Sequence, residues 1–156
     1  MLVLTTTEPE ETRQLGEKLG SLLKGGEVIF LSGPLGAGKT QLAKGIAAAL
    51  KVEKEVTSPT FTLINQYRGE KLNFYHMDFY RLQSPAEAAE LGLEEYFYDD
   101  TGVTVVEWGE NIRELWPEEY LMVEIEYKDG GEERTITFHP RGSRYRQVVK
   151  GLQEKK

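Results

Sequence analysis

The chain of 156 residues contains no cysteine, which excludes disulfides and thiolate metal sites and makes a reducing intracellular compartment the natural reading. Its two histidines, His76 and His139, are far apart in sequence, so no zinc site is expected. No stretch approaches ~18 consecutive apolar residues. The start Met1-Leu2-Val3-Leu4-Thr5 lacks a basic segment followed by the apolar core of a signal peptide. A cytoplasmic protein without membrane attachment is expected. Positive charge is also scarce: the net charge of −7 opposes unassisted binding to RNA or DNA, because such affinity rests largely on Lys and Arg neutralising phosphates.

The charge that is present is uneven. Residues 82–120 hold eleven Asp or Glu and one Arg, whereas residues 140–156 hold six Lys or Arg and one Glu. Solvated helix faces and a solubilising tail are the ordinary explanation. The sharper one is an acidic surface that docks a basic partner.

What organises the chain is Gly33-Pro34-Leu35-Gly36-Ala37-Gly38-Lys39-Thr40, a glycine, four free positions and then Gly-Lys-Thr. The apolar run Val28-Ile29-Phe30-Leu31 precedes it as a strand. Leu42, Ile46 and Leu50 follow it at helical spacing. Gly33, Gly36 and Gly38 permit positive φ and close approach, so that successive amide N–H groups converge on phosphate oxygens. The helix beginning near Lys39 adds its positive dipole end, Lys39 can sit beside the β- and γ-phosphates, and Thr40 is left to bind magnesium. A glycine-rich turn before an ordinary helix would need neither Lys39 nor Thr40.

Around this stretch the pattern predicts a strand at residues 2–5 and a helix opened by a Thr7/Glu10 capping box, with Leu15, Leu19, Leu22 and Leu23 as its buried stripe. Residues 53–60 read as an exposed loop that could reach over a nucleotide. Residues 62–68 and 72–78 form a hairpin about Gly69-Glu70. Ser84 and Glu87 open a helix over residues 85–91, Val103 to Val106 form a central strand covered on both faces, and Val123, Ile125 and Tyr127 alternate against Glu124 and Glu126. Residues 134–139 return as a partner strand, and Tyr145, Val148, Val149 and Leu152 share one face of a last helix. The expected whole is one α/β domain over residues 1–156, a three-layer fold of the phosphate-loop NTPase kind. Its central sheet is mixed but mostly parallel, and it carries a C-terminal antiparallel hairpin and a basic tail over roughly residues 140–156.

Asp78 and Glu107 both end strands. If those strands run parallel to the one before the phosphate loop, both acids reach the edge where α/β sheets collect ligands. One can orient magnesium or its waters while the other positions an attacking water. Alone, Asp78 reads as a turn acid and Glu107 as a surface carboxylate; a complete phosphate loop at the same edge reverses that. Asp99-Asp100-Thr101-Gly102 matches the Asp-x-x-Gly pattern of GTPases but precedes its strand, and no Asn-Lys-x-Asp segment exists, which disfavours GTP. Trp108 is packing or a gate, Arg81 a surface residue or a phosphate-facing cation, and His76 a hydrogen-bonded structural residue on the face of Asp78.

Four segments, the phosphate loop, Ser58-Pro59-Thr60-Phe61-Thr62-Leu63-Ile64-Asn65, His76-Met77-Asp78-Phe79-Tyr80-Arg81-Leu82 and Val106-Glu107-Trp108, resemble in order and separation the TsaE (YjeE) family. The resemblance implies an ATPase of bacterial tRNA threonylcarbamoyladenosine synthesis that works with ATP and Mg2+ and regulates or resets a complex of TsaD and TsaB, meeting tRNA only indirectly. It implies that Ser58 to Thr62 form a switch-like loop sensing nucleotide state and that Asp78 takes the place of a Walker B-like acid. Glu107 would be a second acid beside magnesium, and Trp108 would move with nucleotide. Lys39, Asp78 and Glu107 are thus the expected catalytic set, and Thr40, Asp78 and Glu107 the metal set. Gly33 to Thr40, Ser58, Thr60 and Trp108 are the expected nucleotide contacts. Pro34 departs from the family, where an acid is frequent, and as proline it offers no N–H. A small-molecule kinase and a nucleotide switch with negligible turnover are the competing readings. Against the kinase, the chain is short and has no arginine-rich lid segment.

Overall fold

A computed structural model describes residues 1–34, 36–57, 59, 63–82, 84–128 and 131–154. The chain runs β1 (Leu2–Thr6), α1 (Pro9–Ser21), β2 (Val28–Ser32), α2 (Lys39–Ala49), β3 (Ile64–Arg68), β4 (Asn73–Asp78), α3 (Pro85–Ala89), α4 (Leu93–Phe97) and β5 (Gly102–Glu107). A 3₁₀ segment (Gly109–Leu115), β6 (Tyr120–Tyr127), β7 (Arg134–Arg141) and α5 (Ser143–Gln153) complete it. The strands form one seven-stranded sheet in the order β1-β7-β6-β2-β5-β4-β3. β6, β2, β5 and β4 are mutually parallel, while β3 and β7 are antiparallel to their neighbours. This is the mixed, mostly parallel sheet with a C-terminal hairpin that the pattern predicts.

β5 is buried at all six positions because it lies between β2 and β4 with helices on both faces, the setting in which a strand reads as a continuous apolar run. On one face, Ile29, Leu31, Val103, Val105, Val123 and Ile136 pack under α1, α2 and α5. On the other, Val28, Phe30, Met77, Phe79 and Val106 meet Ala88 of α3, Leu93 and Phe97 of α4 and Ile112 of the 3₁₀ segment. The result is the three layers expected. α5 buries Tyr145, Val148, Val149 and Leu152, the four residues its periodicity picks out.

Four local expectations change. Glu8, not Thr7, stands at the N-cap of α1, and the Thr7 amide and hydroxyl donate to Oε1 of Glu11, one residue beyond the predicted partner. Of the expected stripe, Leu19 and, just past the helix, Leu23 are buried, Leu15 and Leu22 only partly, and within α1 Thr12, Gly16 and Gly20 are buried as well. The reason is backbone contact with α2: a Cβ built on Gly16 would collide with the Leu42 carbonyl, and one on Gly45 with the Arg13 carbonyl. Small residues hold the centre of that contact, and the leucines flank it. α3 stops at Ala89 instead of Leu91, since Gly92 at φ 69° starts the separate turn of α4. Tyr127, expected inside, is 44% exposed, because the last residues of β6 run past the core.

Candidate functional site

The parallel register of the central strands builds the site. Asp78 is the register partner of Glu107 across β4 and β5, and Leu31 of β2 is the partner of Glu107 on its other side. The two acids therefore arrive side by side at the carboxyl edge, beside the loop that leaves β2. That loop turns on a 3.1 Å bond from the Ala37 amide to the Pro34 carbonyl. Gly38, at φ 118°, is the N-cap of α2, a conformation L side chains rarely adopt.

One cavity of about 490 Å³ collects Gly36, Ala37, Gly38, Lys39, Thr40, Asp78, Glu107 and Trp108, a size typical of small-molecule sites. Gly33 and Pro34 do not line it. Their carbonyls instead shape the loop, Gly33 accepting from Lys39 Nζ at 2.6 Å. Leu35, Ser58 and Thr60, expected at the nucleotide, lie outside the described residues. Arg81 is exposed and is not part of the cavity lining.

Lys39 is only 5% exposed. Burial pushes its pKa down, and Glu107, Glu110 and Asp78, in that order, pull it back up. The ammonium also sits 3.8 Å from the centroid of the Trp108 ring, a cation–π contact. Trp108 itself is left-handed at φ 59°, a strained conformation for a large side chain. It turns the chain out of β5, and its ring lies 4.8 Å from that of the half-exposed Tyr80. Burial raises the Asp78 pKa most; the Tyr80 amide, donating to Oδ1 at 3.0 Å, opposes this, and the neighbouring Glu107 adds to it. Glu107 is 3% exposed and shares a 2.7 Å hydrogen bond with the fully buried His76.

The donor set fits a phosphate ligand with magnesium. A hydroxyl and two carboxylates are oxygen donors for a hard cation that usually keeps waters and borrows phosphate oxygens. No group of three or more His, Cys, Asp or Glu able to hold a metal ion exists among the described residues.

Sequence reasoning missed part of the lining. Pro9, Thr12, Gln41, Glu132 and Arg134 also face the cavity. Arg134 donates through Nε to the Ala37 carbonyl at 2.9 Å and stacks over Tyr127 at 4.3 Å. Thr12 exchanges a 2.8 Å hydroxyl bond with Thr6. Nothing local marks these residues, because Arg134 reaches the loop through the pairing of β7 with β1 and β6, and Thr12 through the packing of α1 on α2.

Residues 6–136 match the family model described as threonylcarbamoyl adenosine biosynthesis protein TsaE. The chain belongs to the TsaE family. A Bacillus subtilis protein named tRNA threonylcarbamoyladenosine biosynthesis protein TsaE is 43% identical over 147 residues, spanning 94% of this chain and 90% of that protein. Proteins of the same name from Treponema pallidum and Rickettsia conorii are 42% and 34% identical, over 81% and 96% of this chain and 93% and 86% of their own lengths. The crystal structure of Bacillus subtilis YdiB superposes with a TM-score of 0.80 at 39% identity, covering 97% of this chain and 93% of that one. The TsaE family thus assigns the chain to tRNA threonylcarbamoyladenosine biosynthesis. Among the described residues no helix is long and apolar enough to cross a membrane.

Proposed function

We propose that the chain is a cytoplasmic, single-domain, magnesium-dependent ATPase that regulates or resets a tRNA-modifying complex of TsaD and TsaB type proteins. On this reading it meets the tRNA only indirectly. The observation that carries the proposal is the convergence on one cavity of the glycine loop, Lys39, Thr40 and the register pair Asp78 and Glu107. The loop amides and Lys39 would hold the phosphates. Thr40, Asp78 and Glu107 would hold Mg2+, whose chemistry is to neutralise charge developing on the transferred phosphoryl group. One of Asp78 and Glu107 would also position the attacking water and accept its proton. Trp108, against Lys39, reports whether that ammonium is engaged.

Turnover of ATP with magnesium, measured alone and with TsaD and TsaB added, tests the reading. Slow hydrolysis that changes with the partners is expected. Lys39→Ala is expected to abolish nucleotide binding or to lower turnover by ~10³-fold, the scale of removing a charge clamp from a transferring phosphoryl group. Undiminished binding and hydrolysis in that variant would remove the central claim. Consumption of ATP only when a hydroxyl acceptor is supplied would point to a kinase.

A further inference from the structure

His76 stands apart among the buried polar side chains. It is fully buried on β4, its Nε2 lies 2.7 Å from Oε2 of Glu107, and its Nδ1 is a buried nitrogen with no hydrogen-bond partner among the described residues. Against a carboxylate that only accepts hydrogen bonds, this contact requires the proton on Nε2, and Nδ1 has nothing to pair with among the described residues. An orphaned buried nitrogen is unfavourable. Behind it on the same sheet face, Phe74, Val103 and Val105 are apolar, and an apolar side chain at His76 would avoid that cost. The bond to Glu107 is the return for it.

Register gives the bond its direction. His76 pairs with Val105 and Asp78 with Glu107, and the alternation of side chains puts His76, Asp78, Val105 and Glu107 on the sheet face covered by α2. His76 is therefore one pleat behind the site edge, in the core, reaching forward to an acid that lines the cavity. With Oε2 tied to the ring, Oε1 is the oxygen left for the site. We propose that His76 is a positioning residue that fixes the rotation of the Glu107 carboxylate, holding one oxygen in the core and presenting the other beside Lys39 and Asp78. This rests on the reading of Glu107 as an acid of a nucleotide site.

The ring is examined first, by 15N–1H NMR of the imidazole in the whole protein without nucleotide. The Nε2–H tautomer is expected, with ring resonances that move in Glu107→Gln. An Nδ1–H tautomer, or resonances indifferent to Glu107→Gln, overturns the proposal. Kinetics then separate positioning from packing. His76→Gln, whose amide N–H can take the place of Nε2–H, is expected to keep kcat for ATP within about threefold of wild type. His76→Leu is expected to lose ~10–100-fold in kcat with KM nearly unchanged, the range for removing the partner of a ligating group. In a Glu107→Gln background, His76→Leu is expected to add nothing. Equal losses in the Gln and Leu variants, or full activity in His76→Leu, overturn the proposal. Should His76→Leu not fold, His76→Asn, whose shorter amide cannot reach Glu107, replaces it with the same expected loss. A wild-type protein that hydrolyses no ATP overturns the ATPase reading, and the NMR result then decides the link from His76 to Glu107 by itself.

Discussion

Lys39 keeps an ammonium where water is largely excluded, and the residues around it show how that is tolerated: a carbonyl accepts from it, a ring lies over it and three carboxylates stand nearby. Asp78 shares this setting and is expected to act later than binding. Asp78→Ala should retain ATP but lose hydrolysis by on the order of 10²-fold, the size of removing a positioned acid or base; single-turnover assays check this, and full activity would reassign the role. A second single-residue prediction concerns Asp99, which is not at the site. The Thr101 hydroxyl at 2.6 Å, the Tyr75 phenol at 2.6 Å and the Thr101 amide at 2.8 Å all donate to its carboxylate, and they hold its pKa below the ordinary value in that order. An acid depressed in the folded state contributes stability above its unfolded pKa and loses it as pH falls through the folded one. The melting-temperature gap between wild type and Asp99→Asn is therefore expected to shrink on going from about pH 5 to about pH 3. A constant gap would show that the turn is held by something else.

Helices α1 and α2 touch backbone to backbone at Gly16 and Gly45, so their spacing is set by the lack of side chains. Gly45→Ala poses a contest of magnitudes. Alanine improves helix propensity by about 1 kcal/mol, but its Cβ would meet the Arg13 carbonyl and lie 2.8 Å from the Glu17 amide, both rigid backbone. Overpacking typically costs ~1–3 kcal/mol, and with no flexible neighbour to yield, the upper end applies. A net loss of about 1–2 kcal/mol in urea unfolding is expected. Because α2 begins at Lys39 and Thr12 of α1 lines the same cavity, weaker nucleotide binding should accompany it. The glycines were visible in the sequence, but leucine spacing suggested a different buried stripe, since hydrophobicity counts side chains and this contact is made without them.

Across the whole molecule, the C-terminal helix α5 is tied to β2, the strand that leads into the glycine loop. The Val28 amide donates to the Tyr145 hydroxyl at 2.8 Å in the core. Tyr145→Phe removes the acceptor and leaves a buried N–H, which costs ~1–3 kcal/mol. At this chain length that is a fall in melting temperature of roughly 2–4 °C per kcal/mol. An unchanged melting temperature would show that water or a shifted neighbour satisfies Val28. Most of the strands, the helix after the phosphate loop and the apolar face of α5 were legible because they rest on period and on loop chemistry, both local properties. The turn that opens α2 was legible for the same reason, since Gly36, Gly38, Lys39 and Thr40 stand within one turn of chain. The sequence likewise determined that Asp78 and Glu107 end strands. Whether they meet depended on parallel register across β4, β5 and β2. The pairing of β7 with β1 and β6 carried Arg134 to the cavity, the packing of α1 on α2 carried Thr12, and the pairing of β4 with β5 joined His76 to Glu107. Those pairings link residues up to more than a hundred positions apart, so no window of sequence contains them; they follow from which strands lie side by side once the sheet has closed its two cores.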